Sequence, residues 1–392
     1  MSDVDALWAF LVAGALALAF TPLAARLAHV VGAVDQPRER GLHETPTPSL
    51  GGLAILLGAL VAGVLFLPGG EQTSGILAGA AVIALIGAAD DAFDLHPALK
   101  LAGQTAAAVI PVAAEVRVEN ITLPFAGAID LGAAGGPLTV LGIVAVMNVV
   151  NFTDGVDGLA AGVCTIGAGT FAVIALSLDR VDAGVLAALT AGAAAGFLVH
   201  NFHPASVFMG DSGSNLLGLL LACVAIQGVL KTAAVVALVF PLVILAVPIL
   251  DTTFVVAKRI KYRRPIYTAD REHFHHRFAN IGFSQRRTVA YLYAWTLALA
   301  ALALALRFVP YSDNHGNFDT GWTLVMVTFG LVAVAASVYL VYVLEILKFT
   351  RFRARQLRKG EAGGSPMSEA EVEAEVVREV ETGEFDALPP AP

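Results

Sequence analysis

Apolar stretches of about 17 to 25 residues, the length that crosses a hydrocarbon layer as a helix, recur eleven times along this chain. They lie near 7–28, 50–68, 73–89, 98–115, 137–152, 158–178, 183–200, 212–229, 233–257, 288–308 and 322–345, the third and fifth being the shortest. Apolar residues make up 57% of the chain and charged residues 14%, against roughly 45–50% and 25% in an ordinary soluble domain, so a soluble core does not account for the pattern. The expected fold is all-α: a polytopic integral membrane protein with about eleven transmembrane helices. The segment near 116–135 is too polar to cross, and the alternation in Val116 to Leu123 predicts a small external β-hairpin. Runs of Ala, Gly, Leu and Val suit close helix packing in lipid. Cys164 and Cys223 lie inside apolar stretches with no Cys or His at metal spacing, and read as buried small hydrophobes.

Lys and Arg stay preferentially on the cytoplasmic side of a membrane, and here they crowd alternate loops. Arg26, Arg38 and Arg40 flank the first loop, nine basic residues run from Lys258 to Arg287, and Lys348 to Lys359 follow the last span. The other face holds only Arg117, Arg180, Lys231 and Arg307. This distribution predicts a multi-pass protein of the plasma (inner) membrane with its N-terminus outside and its C-terminus in the cytoplasm. The first span lacks a basic segment before it and is read as retained rather than cleaved. The domain expectation is a membrane domain over 1–348, a basic juxtamembrane segment over 349–360 and an acidic, disordered cytoplasmic tail over 361–392. Nine acidic residues against one Arg in that tail match the whole net charge of -8, which leaves the rest of the chain neutral.

Carboxylates at membrane depth are costly, and they ordinarily line a polar cavity, pair with each other or bind an ion. Asp90 and Asp91 end one apolar run, and Lys100 opens the next. Asn148, Asn151, Asp154 and Asp157 cluster at the end of a later run, and Phe208 and Asp211 lie just before another. On the expected topology these loops, together with Arg40 and His43 in the first and His273, His275, His276 and Arg277 in the ninth, all converge on the cytoplasmic face. Simpler readings exist for some: Asp154-Gly155 and Asp157-Gly158 suit turns with a helix cap, and Phe208 suits an interfacial aromatic. The adjacent pair Asp90-Asp91 resists such treatment, because two neighbouring carboxylates need a cation or a raised pKa.

Oxygen-rich ligand sets without Cys suit Mg²⁺ or Mn²⁺, whereas zinc would want more His or Cys. The His-x-His-His-Arg run in a basic loop fits phosphate recognition. Gly-Asp-Ser-Gly-Ser at 210–214 opens the eighth span, where free backbone N–H groups would favour a phosphate. Together these features predict a site for a metal-bound diphosphate at the inner leaflet.

Five motifs in order resemble a known family: Asp35-x-Pro-x-x-Arg-x-x-His43-x-x-Pro-x-Pro-x-x-Gly-Gly; Gly87-x-x-Asp-Asp with Lys100; Asn148-x-x-Asn-x-x-Asp-Gly-x-Asp-Gly-Leu; Phe208-Met-Gly-Asp-Ser-Gly-Ser; and His273-x-His-His-Arg. Over roughly residues 20–345 the chain is similar to the polyprenyl-phosphate N-acetylhexosamine-1-phosphate transferases. The resemblance implies transfer of a sugar 1-phosphate from a UDP-N-acetylhexosamine to undecaprenyl phosphate, with release of UMP and a requirement for Mg²⁺. It implies that Asp211 and Asn151 hold the metal. Lys100, His273, His275, His276 and Arg277 would neutralise phosphates, and Phe208 and Asp157 would contact uracil. Asp90 or Asp91 would act on the lipid phosphate, with Asp154 in the catalytic group and Arg40, His43 and Asn148 contacting substrate. His-Phe-His-His-Arg looks more like the N-acetylglucosamine-handling branch. Gly41, where many relatives carry Lys, departs from the pattern and puts the first loop's phosphate or sugar contact in question. Relatives suggest a homodimer, and nucleic acid is not among the expected partners.

Phosphoryl transfer rests mainly on positioning and charge neutralisation. Direct attack by the lipid phosphate is the first reading, with an Asp of the 90-91 pair removing any residual proton. An aspartyl-phosphate intermediate is its rival. The same chemistry on UDP-MurNAc-pentapeptide is an alternative, as is a transporter for an anionic substrate. Transporter sites, however, sit near the bilayer midplane between repeats, and these carboxylates gather at one surface.

Overall fold

The computed structural model describes residues 2–36, 46–123, 127–228, 249, 285–310 and 319–342. The chain forms two compact units, Met1–Tyr267 with Val289–Val309, and Thr268–Thr288 with Pro310–Pro392. The first holds α1 (Asp3–Val31), β1 (Val34–Asp35), β2 (Thr47–Pro48), α2 (Gly51–Phe66), α3 (Glu71–Phe93), α4 (Pro97–Ala113), β3 (Asn120–Leu123), β4 (Gly127–Asp130), α5 (Gly135–Thr153), α6 (Leu159–Ser177), α7 (Val181–Asn201), α8 (Gly210–Gly228) and most of α9 (Gln285–Phe308). The second holds α10 (Thr320–Tyr342). Asp319 caps α10 by accepting the Trp322 N–H at 2.9 Å, and the helix exposes Leu324, Val327, Phe329 and Leu331.

The chain is a mostly helical, multi-pass membrane protein. Six described helices are long and apolar enough to cross a bilayer: α1, α3, α5 with its leading turn, α6, α7 and α9. With 16 residues, α2 rises only about 24 Å. The expected ninth span, 233–257, lies outside the described residues, as do the 349–360 and 361–392 segments.

Helices α7 and α8 are buried along almost their whole length. The first packs chiefly on α1 and α6, the second on α3 and α5, and α2 touches α1, α7 and α8. Large apolar side chains such as Trp8, Leu11, Leu18 and Leu23 of α1 point outward, as hydrocarbon solvent allows. Toward the bundle, α1 presents buried Ala6, Ala9, Ala13 and Ala17, with the Ala13 and Ala17 backbone against Gly58 of α2. Small residues let backbones approach closely in lipid, and Gly192-x-x-x-Gly196 on α7 does this: a Cβ on Gly192 would overlap the Phe10 carbonyl, and one on Gly196 the Gly14 carbonyl. Overpacking costs about 1–3 kcal/mol where neighbours can give, and a backbone carbonyl gives little. Gly196→Leu is therefore expected to lower the thermal midpoint in detergent clearly. An unchanged midpoint would mean that α1 and α7 do not need this approach.

Pro22 inside α1 removes the N–H that would meet the Leu18 carbonyl. His200 near the end of α7 supplies the missing donor, with Nε2 at 3.1 Å from that oxygen.

Among the described residues two antiparallel ribbons accompany the helices, β1 with β2 and β3 with β4. In the second, Asn120 lies opposite Asp130 and Leu123 opposite Gly127. It sits where α4 ends and α5 begins, tied by the Val118 N–H to Thr139 Oγ1 at 3.0 Å. The first ribbon was not anticipated from the sequence, since two residues per strand leave no alternation to read. It is extended by the loop before α8: Phe208 donates its N–H to the Pro48 carbonyl, and the Gly51 and Gly52 N–H groups donate to the Phe208 and Met209 carbonyls, at 2.8 to 3.0 Å.

Candidate active site

The C-terminal ends of α3 and α5 and the N-terminal ends of α4 and α8 meet at one end of the first unit, opposite the β3–β4 ribbon. Successive residues on a helix point about 100° apart, and this separates the adjacent carboxylates. Asp91 turns to α8 and accepts the N–H groups of Asp211 at 2.7 Å and Ser212 at 3.1 Å. It caps from another helix the donors that every helix N-terminus leaves without a partner. Asp90 turns to its own chain, accepting the Leu95 N–H at 2.8 Å and lying 3.1 Å from Lys100 Nζ.

Lys100 sits in the first turn of α4, a helix opened by Pro97 after the His96 cap. Its ammonium bridges Asp90 and Asp211. Asp211 is held on its other side by Asn151 Nδ2 at 2.5 Å, and Asn151 also donates to Ser214 Oγ at 2.8 Å. Close backbone approach makes this convergence possible. A Cβ at Gly52 would overlap the Gly213 backbone, and one at Gly87 would overlap that of Ser212, so α2 and α3 both press on the first turn of α8.

One helical turn below lies a layer of amides. Gln104 donates to Asn215 Oδ1 at 2.8 Å and accepts from Asn148 Nδ2 at 2.9 Å, and Asn215 Nδ2 donates to the Asp211 carbonyl at 2.8 Å. Gln104 and Asn215 are each only 1% exposed.

Asp154 follows the last turn of α5. Burial, and then the charges of Asp91 and Asp157, hold its carboxyl well above the ordinary carboxylate range. Among the described residues its side chain makes no hydrogen bond or ion pair, unlike the other three acids of the cluster. Asp157 is 8% exposed. Its Oδ2 lies 2.8 Å from His203 Nδ1 and accepts the Ala205 N–H at 3.0 Å, which fixes the loop leading to Phe208. Asn201 ties the same region by accepting the Gly158 N–H and donating to the Val207 carbonyl, each at 3.0 Å. From α9, the Tyr293 hydroxyl donates to the Gly158 carbonyl.

The sequence model of Glycosyl transferase family 4 matches residues 73–229, the segment that carries this cluster. A protein of Bacillus subtilis (strain 168) named as a probable undecaprenyl-phosphate N-acetylglucosaminyl 1-phosphate transferase is 39% identical over 301 residues, covering 76% of this chain and 84% of its own. The chain belongs to the polyprenyl-phosphate N-acetylhexosamine-1-phosphate transferases. A decaprenyl-phosphate N-acetylglucosaminephosphotransferase of Mycobacterium leprae (strain TN) is 39% identical over 306 residues, 70% of this chain and 77% of that one. A phospho-N-acetylmuramoyl-pentapeptide-transferase of Desulforudis audaxviator (strain MP104C) is 35% identical over 329 residues, 76% of this chain and 95% of that one. This polyprenyl-phosphate N-acetylhexosamine-1-phosphate transferase is thus an enzyme, a glycosyl-1-phosphate phosphotransferase, and the transporter alternative falls away.

Of the residues singled out from the sequence, Asp90, Asp91, Lys100, Asn151 and Asp211 come together in the transferase. Asp154 lies beside them, and Asn148 belongs to the amide layer beneath. Asp157 and half-buried Phe208 sit on the neighbouring turn and loop. Arg40, His43, His273, His275, His276 and Arg277 lie outside the described residues. The 210–214 segment was read as a phosphate cradle with free N–H groups. Its leading N–H groups are instead taken by Asp91, because a carboxylate of the same chain reaches the helix end. Gln104, Asn215 and His203 escaped the sequence reading, although an amide inside an apolar run is the kind of signal that could have found the first two.

With Asp154 held protonated, the acids Asp90, Asp91 and Asp211 still outnumber the one ammonium of the described cluster, and its donors are all oxygens once Lys100 is set aside. No group of three or more His, Cys, Asp or Glu side chains poised for a metal occurs among the described residues. A hard divalent cation that takes one or two protein oxygens and completes its shell from phosphates and water fits such a set; zinc does not.

Proposed function

We propose that the protein transfers N-acetylglucosamine 1-phosphate from UDP-N-acetylglucosamine to undecaprenyl phosphate at the cytoplasmic face of the membrane, releasing UMP and starting a lipid-linked cell-envelope glycan. The observation that carries this reading is the Lys100 ammonium set between Asp90 and Asp211, in a family of sugar-phosphate transferases. N-acetylglucosamine is favoured over the muramoyl-pentapeptide donor by the two relatives named for it, 39% identical over 301 and 306 residues, against relatives named for the other donor at 35% over 329 and 38% over only 203.

A phosphate oxygen of the lipid attacks the sugar-side phosphorus of the donor, the bond from that phosphorus to the bridging oxygen breaks, and UMP leaves with the electron pair. Mg²⁺, with Mn²⁺ as a substitute, would be held by Asp211 and Asn151 and would supply charge neutralisation on the diphosphate. Lys100 would add a point charge for the phosphate oxygens, and Phe208 with Asp157 would contact the uracil. Asp91 is engaged by α8, which leaves Asp90 beside Lys100 to take any residual proton, while Asp154, kept protonated by burial, would donate a hydrogen bond to a phosphate oxygen.

Purified protein in detergent with undecaprenyl phosphate and Mg²⁺ is expected to release UMP from UDP-N-acetylglucosamine with sequential initial-velocity patterns. Release only from UDP-MurNAc-pentapeptide would move the donor. No release from any UDP-N-acetylhexosamine would remove the reading, and ping-pong kinetics with a trapped phospho-enzyme would replace direct attack by an aspartyl-phosphate.

A further inference from the structure

Three of the side chains that meet at the cluster come from three different helices, and each has an amide one turn below it on the same helix: Gln104 follows Lys100 by four residues, Asn148 precedes Asn151 by three, and Asn215 follows Asp211 by four. Residues three or four apart share a helix face, so the amides stack under the cluster in the same arrangement as the groups above. They also interlock. Gln104 of α4 donates to Asn215 of α8 at 2.8 Å and accepts from Asn148 of α5 at 2.9 Å, Asn148 Nδ2 also donates to the Val144 carbonyl at 2.8 Å, and Asn215 Nδ2 reaches the Asp211 carbonyl at 2.8 Å. Gln104 and Asn215 are buried and Asn148 is half-buried, and the flanking Met147, Ala107, Ala108 and Leu219 are all buried.

We propose that Gln104, Asn148 and Asn215 form a positioning layer that fixes the rotation and height of α4, α5 and α8 relative to one another, and so sets the spacing of Lys100, Asn151 and Asp211. The proposal rests on the transferase reading above and reassigns Asn148 from substrate contact to positioning. An amide presents donor and acceptor on one planar group, so this three-membered arrangement is satisfied in one register. Apolar side chains of similar volume would pack there equally well in several. Removing one member leaves buried polar groups without partners, whereas replacing all of them by apolar groups of like shape is close to neutral for stability. Stability and positioning therefore separate experimentally.

The test is the triple variant Gln104→Met, Asn148→Leu and Asn215→Leu in the full chain, compared with the three single variants and the wild type. The readouts are thermal midpoint in detergent without added metal, and kcat and KM for UMP release. The expected result is a midpoint at or above that of the wild type and a kcat lower by about 10- to 100-fold. KM for the UDP-sugar should stay within about 2-fold, and each single variant should lose about as much kcat as the triple, as residues acting as a unit do. Wild-type kcat in a folded triple variant would overturn the proposal. So would losses that multiply across the singles, which would mean separate contacts. Should the triple variant fail to insert, Gln104→Met alone severs both links and is read by the same kcat and KM split. An inactive wild type would count against the transferase reading itself.

Discussion

Asp211→Asn is expected to reduce turnover by about 10²- to 10³-fold, the scale on which losing one preorganised charge-stabilising group acts, while the protein still inserts and folds. The argument is geometric. The carboxylate of Asp211 meets the Lys100 ammonium on one side and Asn151 on the other, and it is the member of the cluster that both neighbouring helices address. An amide keeps its size and one acceptor, and the backbone N–H of residue 211 keeps its bond to Asp91. The local fold is therefore retained and the charge is lost. Initial rates of UMP release beside the thermal midpoint check this. Near-normal rates would show that the charge of Asp211 is not used in the reaction, and a collapsed midpoint would show that its role is to hold α8.

Asp91→Ala is expected to do the opposite in the first instance, destabilising the fold by about 2–4 kcal/mol. Two hydrogen bonds to the Asp91 carboxyl disappear and the first turn of α8 loses its cap. Asp154→Asn is the matched control. That carboxylate has no side-chain partner among the described residues, and burial with two acidic neighbours disfavours its charge. Its neutral substitute should leave the midpoint unchanged or raised while turnover falls. Equal midpoints for Asp91→Ala and wild type would refute the capping role, and a fully active Asp154→Asn enzyme would remove Asp154 from the chemistry. Neither outcome depends on which UDP-sugar is the donor.

Much of this was legible in the chain because lipid makes polarity conspicuous. Asp90, Asp91, Lys100, Asn151 and Asp211 stand out at the edges of apolar runs, and each lies in the cluster. What the sequence could not reveal was partner choice. Asp90 and Asp91 are neighbours of one type, and only the phase of α3 against α8 decides that the second caps a helix and the first meets a lysine. The same limit applies to Gly-Asp-Ser-Gly-Ser. A helix N-terminus attracts an anion, and nothing local distinguishes a ligand phosphate from a carboxylate 120 residues earlier. Gln104 and Asn215 were absorbed into apolar spans by window averaging. The ribbon of Val34–Asp35 with Thr47–Pro48 is too short to carry a period.

The Asp91 bridge to α8 also orders events during synthesis. As helices enter the bilayer one after another, α3 arrives with its two acids long before the segment that will shelter one of them has left the ribosome. Until α8 docks, Asp91 lacks both of its backbone donors. The amino-terminal helices therefore reach their final arrangement only once α8 supplies those two donors, so the site and the bundle are completed by the same contact.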